Sequence, residues 1–448
     1  MELKELQELM LNFISTGNVK ELKELLEANY AIDIANALTD FEDDSLLLLF
    51  ELLDANEIAL IMEEAEDDFQ RRIVEFIDLK KMVQVFTHMS SDDITDILGI
   101  IKVNQRKELL KLMKERDSKD IQMLLGFQQD TAGGIMTTQY IALRRNLCIK
   151  DALIKIKNIG PKTEVIESIF VIGINNELVG IADLRDVLIS SDDCLLQDIM
   201  NENILYVYPD TDQEEVSLIV SKYDLKVLPV VNRKHAILGI ITVDDVIDVI
   251  VEEHTEDLLM LSGVSKDEKI GSKLSVSIQR RLPWLFINLV TAFLASFTVG
   301  LFEDVIVQVV ALAAAMPIVA GMGGNAGTQT LSIMIRSIAL GEVDIKNDWK
   351  YIINEIFLGL INGFATGIIT GFIIYLKYDN LFLGIIILVA MIGNLVIASF
   401  FGFLIPLLLK RFHLDPAVSS SIFLTTATDV GGFFIFLGMA KMFLPYLV

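Results

Sequence analysis

The chain is poor in the residues that build soft-metal, disulfide or nucleophilic sites. Cys148 and Cys194 are its only cysteines and its histidines number four. There is no CxxC pair and no Cys/His cluster, and a structural disulfide is not expected in what reads as a reducing compartment. No GxxxxGK[ST] phosphate cradle and no nucleophile–base set is present, so enzymatic catalysis has no support. The opening Met1-Glu-Leu-Lys-Glu-Leu lacks a basic stretch followed by an apolar core. No cleavable signal is expected, and the first domain is expected to stay in the cytoplasm. Basic charge is scarce as well: 37 Lys and Arg stand against 62 Asp and Glu, for a net charge of −25. From Arg280 onward there are nine of each, so 28 basic and 53 acidic residues precede it and the whole imbalance lies there. A surface so acidic repels nucleic acid and anionic lipid and attracts cations.

What is present begins with a repeat of about 36 residues in 1–130. Phe50, Asp54, Glu57, Ile58, Ile61 and Met62 align with Phe86, Ser90, Asp93, Ile94, Ile97 and Leu98; a fainter copy runs through Ile14, Asn18, Glu21, Leu22, Leu25 and Leu26. The Asn, Asp or Ser opening each copy reads as a helix N-cap, and the carboxylate after it suits the positive helix end. Such helices bury a shared apolar seam only by stacking, which predicts a small all-α solenoid.

Residues 131–250 change to short β runs alternating with helices, again in duplicate. One copy runs from Ile135-Met-Thr through Ile169-Phe-Val-Ile to Gly180…Asp186, the other from Ile199-Met-Asn through Leu228-Pro-Val-Val to Gly239…Asp245. The pattern resembles a tandem pair of CBS domains, an α/β module that often binds adenine nucleotides such as ATP. That resemblance places Asp186 and Asp245 where a ribose hydroxyl is commonly bound. The Ser/Thr usually three residues earlier is kept as Thr242 but replaced by Asp183. Both Asp residues equally suit the role of helix caps. Residues 246–279 read as an acidic helical connector with Asp248, Glu252, Glu253, Glu256 and Asp257.

Apolar runs of bilayer-spanning length follow at 282–302, 305–335, 356–376, 381–409 and 416–440, uncharged but for Asp429 in the last. Arg280/Arg281, Arg336/Lys346/Lys350 and Lys410/Arg411 fall in alternate connecting segments. The positive-inside rule then puts the N-terminal half in the cytoplasm and the C-terminus outside. Five helices are few for a self-contained path, so a homodimer in the lipid membrane is expected. Pro317 and Gly321-Met-Gly-Gly-Asn-Ala-Gly327 are expected to break the second span. The glycines serve either close helix packing or exposed carbonyls that line an ion path with Asn325. In the fifth run Asp429 is the lone ionisable residue. A charged carboxylate there costs several kcal/mol unless it faces water, a partner or a cation, and a twofold dimer would set two of them face to face.

The order of acidic helical domain, CBS pair, connector and five spans is similar to the MgtE family of magnesium channels over essentially the whole chain. The motifs that carry the likeness are Gly323-Gly-Asn-Ala-Gly-Thr-Gln329, Asp415-Pro-Ala…Thr425-Thr-Ala-Thr-Asp429, Asp130-Thr-Ala-Gly-Gly-Ile-Met-Thr137 and Thr211-Asp-Thr-Asp-Gln-Glu-Glu-Val216. The resemblance implies a Mg²⁺-selective pore between two subunits, with Asp429 recognising the hydrated ion and Thr425, Asn325 and Ser421 beside it. It further implies closure by cytosolic Mg²⁺ at Asp92, Asp93, Asp96, Glu214, Asp224, Asp245, Asp248, Glu253, Glu256, Asp257 and Asp415. The implied division is 1–130 acidic helical domain, 131–250 CBS pair, 251–279 connecting helix and 280–448 pore domain. Thr328, Ser421 and Ile422 depart from the family's usual Asn, Asn and Pro. Two other readings remain: an ion-coupled secondary transporter of divalent cations such as Mg²⁺, Co²⁺ or Mn²⁺, and a nucleotide-sensing module with a membrane anchor.

Overall fold

The computed structural model describes residues 3–265, 268, 274–340, 342, 349–412, 414–416 and 420–447. Gly271, Ser272 and Lys273 of the expected polar stretch, Lys346 of the orientation argument and Ala417 of the Asp415 motif lie outside the described residues. The chain divides into two compact units, Met1–Ile250 and Val251–Val448, and the division falls inside the helix Val243–Leu261.

In the first unit ten helices of 8–14 residues occupy Leu3 to Leu124. Asn18, Asp54 and Ser90 are N-caps at equivalent places in the repeat: each side chain accepts from a backbone N–H in the first turn of its helix. At Asp54 the cap is reciprocal, because Glu57 returns a bond to the Asp54 N–H. Leu22, Ile58 and Ile94, each four residues after its cap, are buried in one continuous seam. Helices this short leave carbonyls without partners at their ends. Basic side chains take some of them: Arg72 donates to the Thr39 and Phe41 carbonyls, and Lys81 to those of Phe50 and Leu53.

The α/β part holds strands β1 (Ile141–Arg144), β2 (Ser168–Ile172) and β3 (Leu178–Asp183), with β1 parallel to β2 and β2 antiparallel to β3. In the second copy β4 (Val227–Val231) pairs antiparallel with β5 (Ile237–Thr242), and Val207 bridges to Val230 as a vestige of the parallel neighbour. The two copies exchange their opening segments. Thr137 exchanges backbone bonds with Ile240 of β5, while Asn201 does so with Ile181 of β3. Gly180 and Gly239 lie within strands, not after them, and each sits under a methionine of an opening segment, Met200 and Met136. A Cβ on Gly239 would stand 2.6 Å from the Thr137 carbonyl. Only glycine permits that approach.

In the second unit five helices exceed 20 residues: Leu274–Gly300, Ala311–Ala339, Trp349–Tyr378, Leu381–Arg411 and Ser420–Met442. Four have windows long and apolar enough to cross a membrane by length and composition: Leu274–Gly300, Lys350–Tyr378, Leu381–Arg411 and Ser420–Met442. The Ala311–Ala339 helix is long enough, but Pro317, its glycines, Asn325 and Gln329 dilute its hydropathy. It is also unbroken. The expected interruption at Gly321–Gly327 is corrected by a continuous helix of 29 residues. Gly323 packs on Asn394, and Gly327 on Leu424. Gly323 and Gly327 therefore serve close packing, whereas Gly321 and Gly324 face open space, and the helix weakening they cause is overridden by neighbouring helices.

Gly239→Ala is expected to destabilise the first unit by about 1–3 kcal/mol through overpacking. Urea unfolding followed by circular dichroism measures it. An unchanged midpoint would mean that the opening segment moves aside freely.

Candidate functional site

Because the two copies exchange opening segments, residues remote in sequence meet beside Thr137. Asp92 comes from the first turn of the helix Ser91–Ile100, Glu164 from the loop after Gly160–Lys162, and Asp245 from the first turn of Val243–Leu261. One carboxylate oxygen of each lies within 4.8 Å of the others. The frame is fixed by hydrogen bonds. The Ser91 and Thr137 hydroxyls lie 3.1 Å apart, the Thr138 N–H donates to Ser91 Oγ at 2.8 Å, and the Glu164 N–H donates to the Gln139 carbonyl at 3.1 Å. Thr242 Oγ1 donates to Asp245 Oδ2, and Ser90 Oγ to Asp93 Oδ2 at 2.6 Å.

Asp92 is only 6% exposed, and its Oδ1 has no hydrogen-bond partner among the described residues. A buried carboxylate oxygen left so costs more than a neutral group would. Glu164 is exposed as a residue, yet its carboxylate is crowded on the side facing Asp92. Burial first, then the charge of Asp92, pushes it up to about 8. The same causes in the same order raise Asp245 to about 7 and Asp93 to about 6, and burial raises Asp92 as well. Glu63, from the preceding repeat, is pushed to about 7 by burial and then by Asp93. Of these five acids, Asp92, Glu164 and Asp245 stand close enough together that they could hold a positive charge. All-oxygen donors suit a hard divalent cation such as Mg²⁺ or Ca²⁺.

Of the residues expected from the sequence, Asp92, Asp93 and Asp245 belong to this cluster. Asp96 stands one turn on in the same helix and is exposed. Glu214 and Asp224 occupy opposite ends of the helix Gln213–Tyr223 and its left-handed C-cap. Ten residues apart, they are separated by about 15 Å of helix and share no site within one chain. Asp248 is exposed one turn beyond Asp245. In the second unit Asp257 is pushed up to about 6, by burial and then by the charge of Asp415, while Glu253 and Glu256 are half-buried on the same helix. Glu164 and Glu63 were missed. Glu164 carries no local signal, since its place depends on the exchange of segments.

A separate cavity of about 320 Å³ opens between the CBS copies, lined by Ser168, Ile181, Asp183, Asp186, Asn201, Leu225 and Val227 among others. Asp186 lines it; Asp245 does not, being held in the carboxylate cluster. Asp183 also caps the helix Leu184–Ile189 by accepting from the Arg185 N–H.

In the second unit Ser421, Thr425 and Asp429 recur every four residues and so lie on one face of Ser420–Met442; Thr425 is exposed, and Ser421 and Asp429 are half-buried. Asn325, Thr328 and Gln329 are exposed on Ala311–Ala339. The contact of Gly327 with Leu424 sets the two polar faces at one level. Glu355, which fell just outside the apolar run 356–376, lies in the Lys350–Tyr378 span and accepts from Thr330 Oγ1 at 3.2 Å.

Residues 316–439 match the family described as divalent cation transporter, MgtE, and residues 29–130 match the MgtE intracellular N domain. Residues 196–252 match the CBS domain. The chain is 32% identical over 441 residues to the magnesium transporter MgtE of Thermus thermophilus, covering 96% of this chain and 97% of that one. The chain belongs to the MgtE family. The Bacillus subtilis magnesium transporter MgtE is 32% identical over 356 residues, covering 80% and 79%. Among solved structures, the soluble part of a magnesium transporter aligns with a TM-score of 0.52 at 29% identity, over 56% of this chain and 99% of that one. The cytosolic domain of the Mg²⁺ channel MgtE in complex with ATP aligns at 0.51 and 28%, over 53% and 97%. The MgtE match contains Asn325, Ser421, Thr425 and Asp429.

The raised acids fix a pH dependence. Unfolded carboxylates titrate near 4, whereas Asp93, Glu63, Asp245 and Glu164 are pushed up to about 6, 7, 7 and 8 in the fold. Over that window the folded state holds more protons, so stability falls as pH rises. In EDTA the melting temperature of the first unit's transition is expected to fall between about pH 5.5 and pH 8.5, with Mg²⁺ restoring it at the upper end. A melting temperature that rises with pH in EDTA would contradict the cluster's geometry.

Proposed function

We propose that this MgtE protein carries Mg²⁺ across the cell membrane through a channel formed by two copies, and that Mg²⁺ bound to the acidic cytoplasmic half closes it. The observation that carries the transport reading is the face Ser421–Thr425–Asp429, partly exposed on a single chain in a helix whose only acid is Asp429. Lipid does not tolerate a carboxylate. A second copy across a twofold axis supplies a wet, polar surface and a facing Asp429. Two carboxylates with Thr425, Ser421 and Asn325 nearby can hold Mg²⁺ through its water shell, which it sheds reluctantly. The curated relatives are named transporters of magnesium, which supports this cargo and assigns no enzymatic activity. In this reading Ala311–Ala339 is the fifth spanning helix, lined toward the path by Asn325 and Thr328. The outward apolar face of Leu274–Gly300, with Phe286, Leu289, Val290 and Phe293, meets lipid. The C-terminus then lies outside.

The gating reading rests on the helix Val243–Leu261. Its first turn carries Asp245, and at its far end Met260 and Leu261 pack on Leu331, Ile335 and Leu424 of the pore helices. Mg²⁺ drawing Asp92, Glu164 and Asp245 together biases that helix, and so the pore. A hundredfold preference of Mg²⁺ for the closed state is worth about 2.7 kcal/mol, an ordinary allosteric coupling. The remaining acids Asp93, Asp96, Glu214, Asp224, Asp248, Glu253, Glu256, Asp257 and Asp415 extend this cation-sensing surface. The cavity at Asp186 is read as a nucleotide site, ATP being the ligand of the related cytosolic domain.

Single-channel recording in a planar bilayer tests transport. Asp429→Ala is expected to abolish Mg²⁺ current while the protein still folds, and wild-type current is expected without a proton or sodium gradient. Normal current from Asp429→Ala rules out the pore assignment; a strict need for a counter-ion gradient selects a coupled transporter. For gating, the triple variant Asp92→Asn/Glu164→Gln/Asp245→Asn is expected to stay open at millimolar internal Mg²⁺, conditions that close the wild type. Equal closure of both would leave the cluster without a role.

A further inference from the structure

Asn394 lies in the middle of the apolar helix Leu381–Arg411 and is fully buried. Its carboxamide is pressed between two other helices at a glycine of each. A Cβ on Gly323 of Ala311–Ala339 would overlap the amide, and one on Gly432 of Ser420–Met442 would come within 2.7 Å of it. Nδ2 donates to the Val319 carbonyl at 2.7 Å, two residues beyond Pro317. Val319 stands one turn before Gly323, so the Asn394 amide both bonds the backbone of that turn and packs on its glycine. Oδ1 has no hydrogen-bond partner among the described residues.

For cohesion alone this arrangement is a poor choice. An isosteric leucine would fill the space and avoid burying an amide oxygen without a partner, a cost of about 1–3 kcal/mol. An amide supplies what leucine cannot, a bond with a direction. Gly432 is three residues from Asp429 on the same helix, and Gly323 is two from Asn325. We propose that Asn394 is a positioning residue for Mg²⁺ passage, whose amide fixes the Pro317–Gly323 turn against the Gly432 turn and so sets Asp429 and Asn325 at matching depth. This rests on the reading of Asp429 as the pore carboxylate.

The test is Mg²⁺ influx into vesicles containing the purified full chain, measured against external Mg²⁺, with melting temperature followed in parallel. Variants are Asn394→Ala, Asn394→Ser, Gly432→Ala and the double Asn394→Ala/Gly432→Ala. Asn394→Ala is expected to raise the half-saturating Mg²⁺ roughly tenfold, as losing one positioning hydrogen bond would, while maximal flux changes far less. Asn394→Ser, which keeps a donor, is expected to fall between. The double variant fills the vacated space with a methyl group, so it is expected to melt like the wild type and still transport like Asn394→Ala. Wild-type half-saturation in Asn394→Ala, or its recovery in the double, would reduce the residue to packing and overturn the proposal. Loss of folding in every Asn394 variant would overturn it too, by assigning the residue to stability. Asp429→Ala runs alongside: normal transport there removes the pore reading itself, whatever Asn394 does.

Discussion

Two unit negative charges 4.8 Å apart repel by roughly 3 kcal/mol at an effective dielectric near 20, and Asp92, Glu164 and Asp245 form three such pairs. Apart from protonation, only a cation relieves this. The helical solenoid brings Asp92, the first CBS copy brings Glu164, and the last strand of the second copy delivers Asp245 on the helix that follows. Each element is stable for ordinary reasons of capping and burial. Their convergence makes their mutual repulsion a term in the folding free energy, one that protonation or a bound cation would relieve. The same helix continues to Met260 and Leu261, which pack on Leu331, Ile335 and Leu424 within the second unit.

The membrane unit solves the opposite problem. There the surroundings are apolar and the polar groups must be given directions. Glycines at 323, 327 and 432 let backbones and the Asn394 amide approach closely, while Asn325 and Thr425 are exposed and Asp429 is half-buried beside them. Inward glycine and outward polarity alternate on the same helices, which suits elements that pack tightly on one side and meet water or a second copy on the other.

Local signals were legible and tertiary ones were not. Asn18, Asp54 and Ser90 could be named as caps because a cap needs only the residues beside it. The duplicated Gly and Asp of the CBS copies were visible for the same reason. Asp92, Asp93 and Asp245 came from family likeness, yet their acidity as a group depends on Glu164 and Glu63, which no spacing connects to them. The break expected at Gly321–Gly327 followed from intrinsic helix preference, and packing against Asn394 and Leu424 overrode it. Asn394 itself had no signal: one neutral polar residue in a long apolar run looks incidental until its neighbours are known.

The exchange of opening segments also imposes an order on synthesis. Thr137 leaves the ribosome early, but its strand partner Ile240 is made about a hundred residues later. Until then Met136 has no glycine strand to cover, and β1–β3 stand with an incomplete neighbour. Only a short stretch separates Asp245 from the first apolar helix at Leu274. The carboxylate cluster can therefore assemble just as the first long apolar helix is made. A nascent chain arrested between these points would present open strand edges and ungathered carboxylates to the cytosol, with no membrane anchor yet to hold it in place.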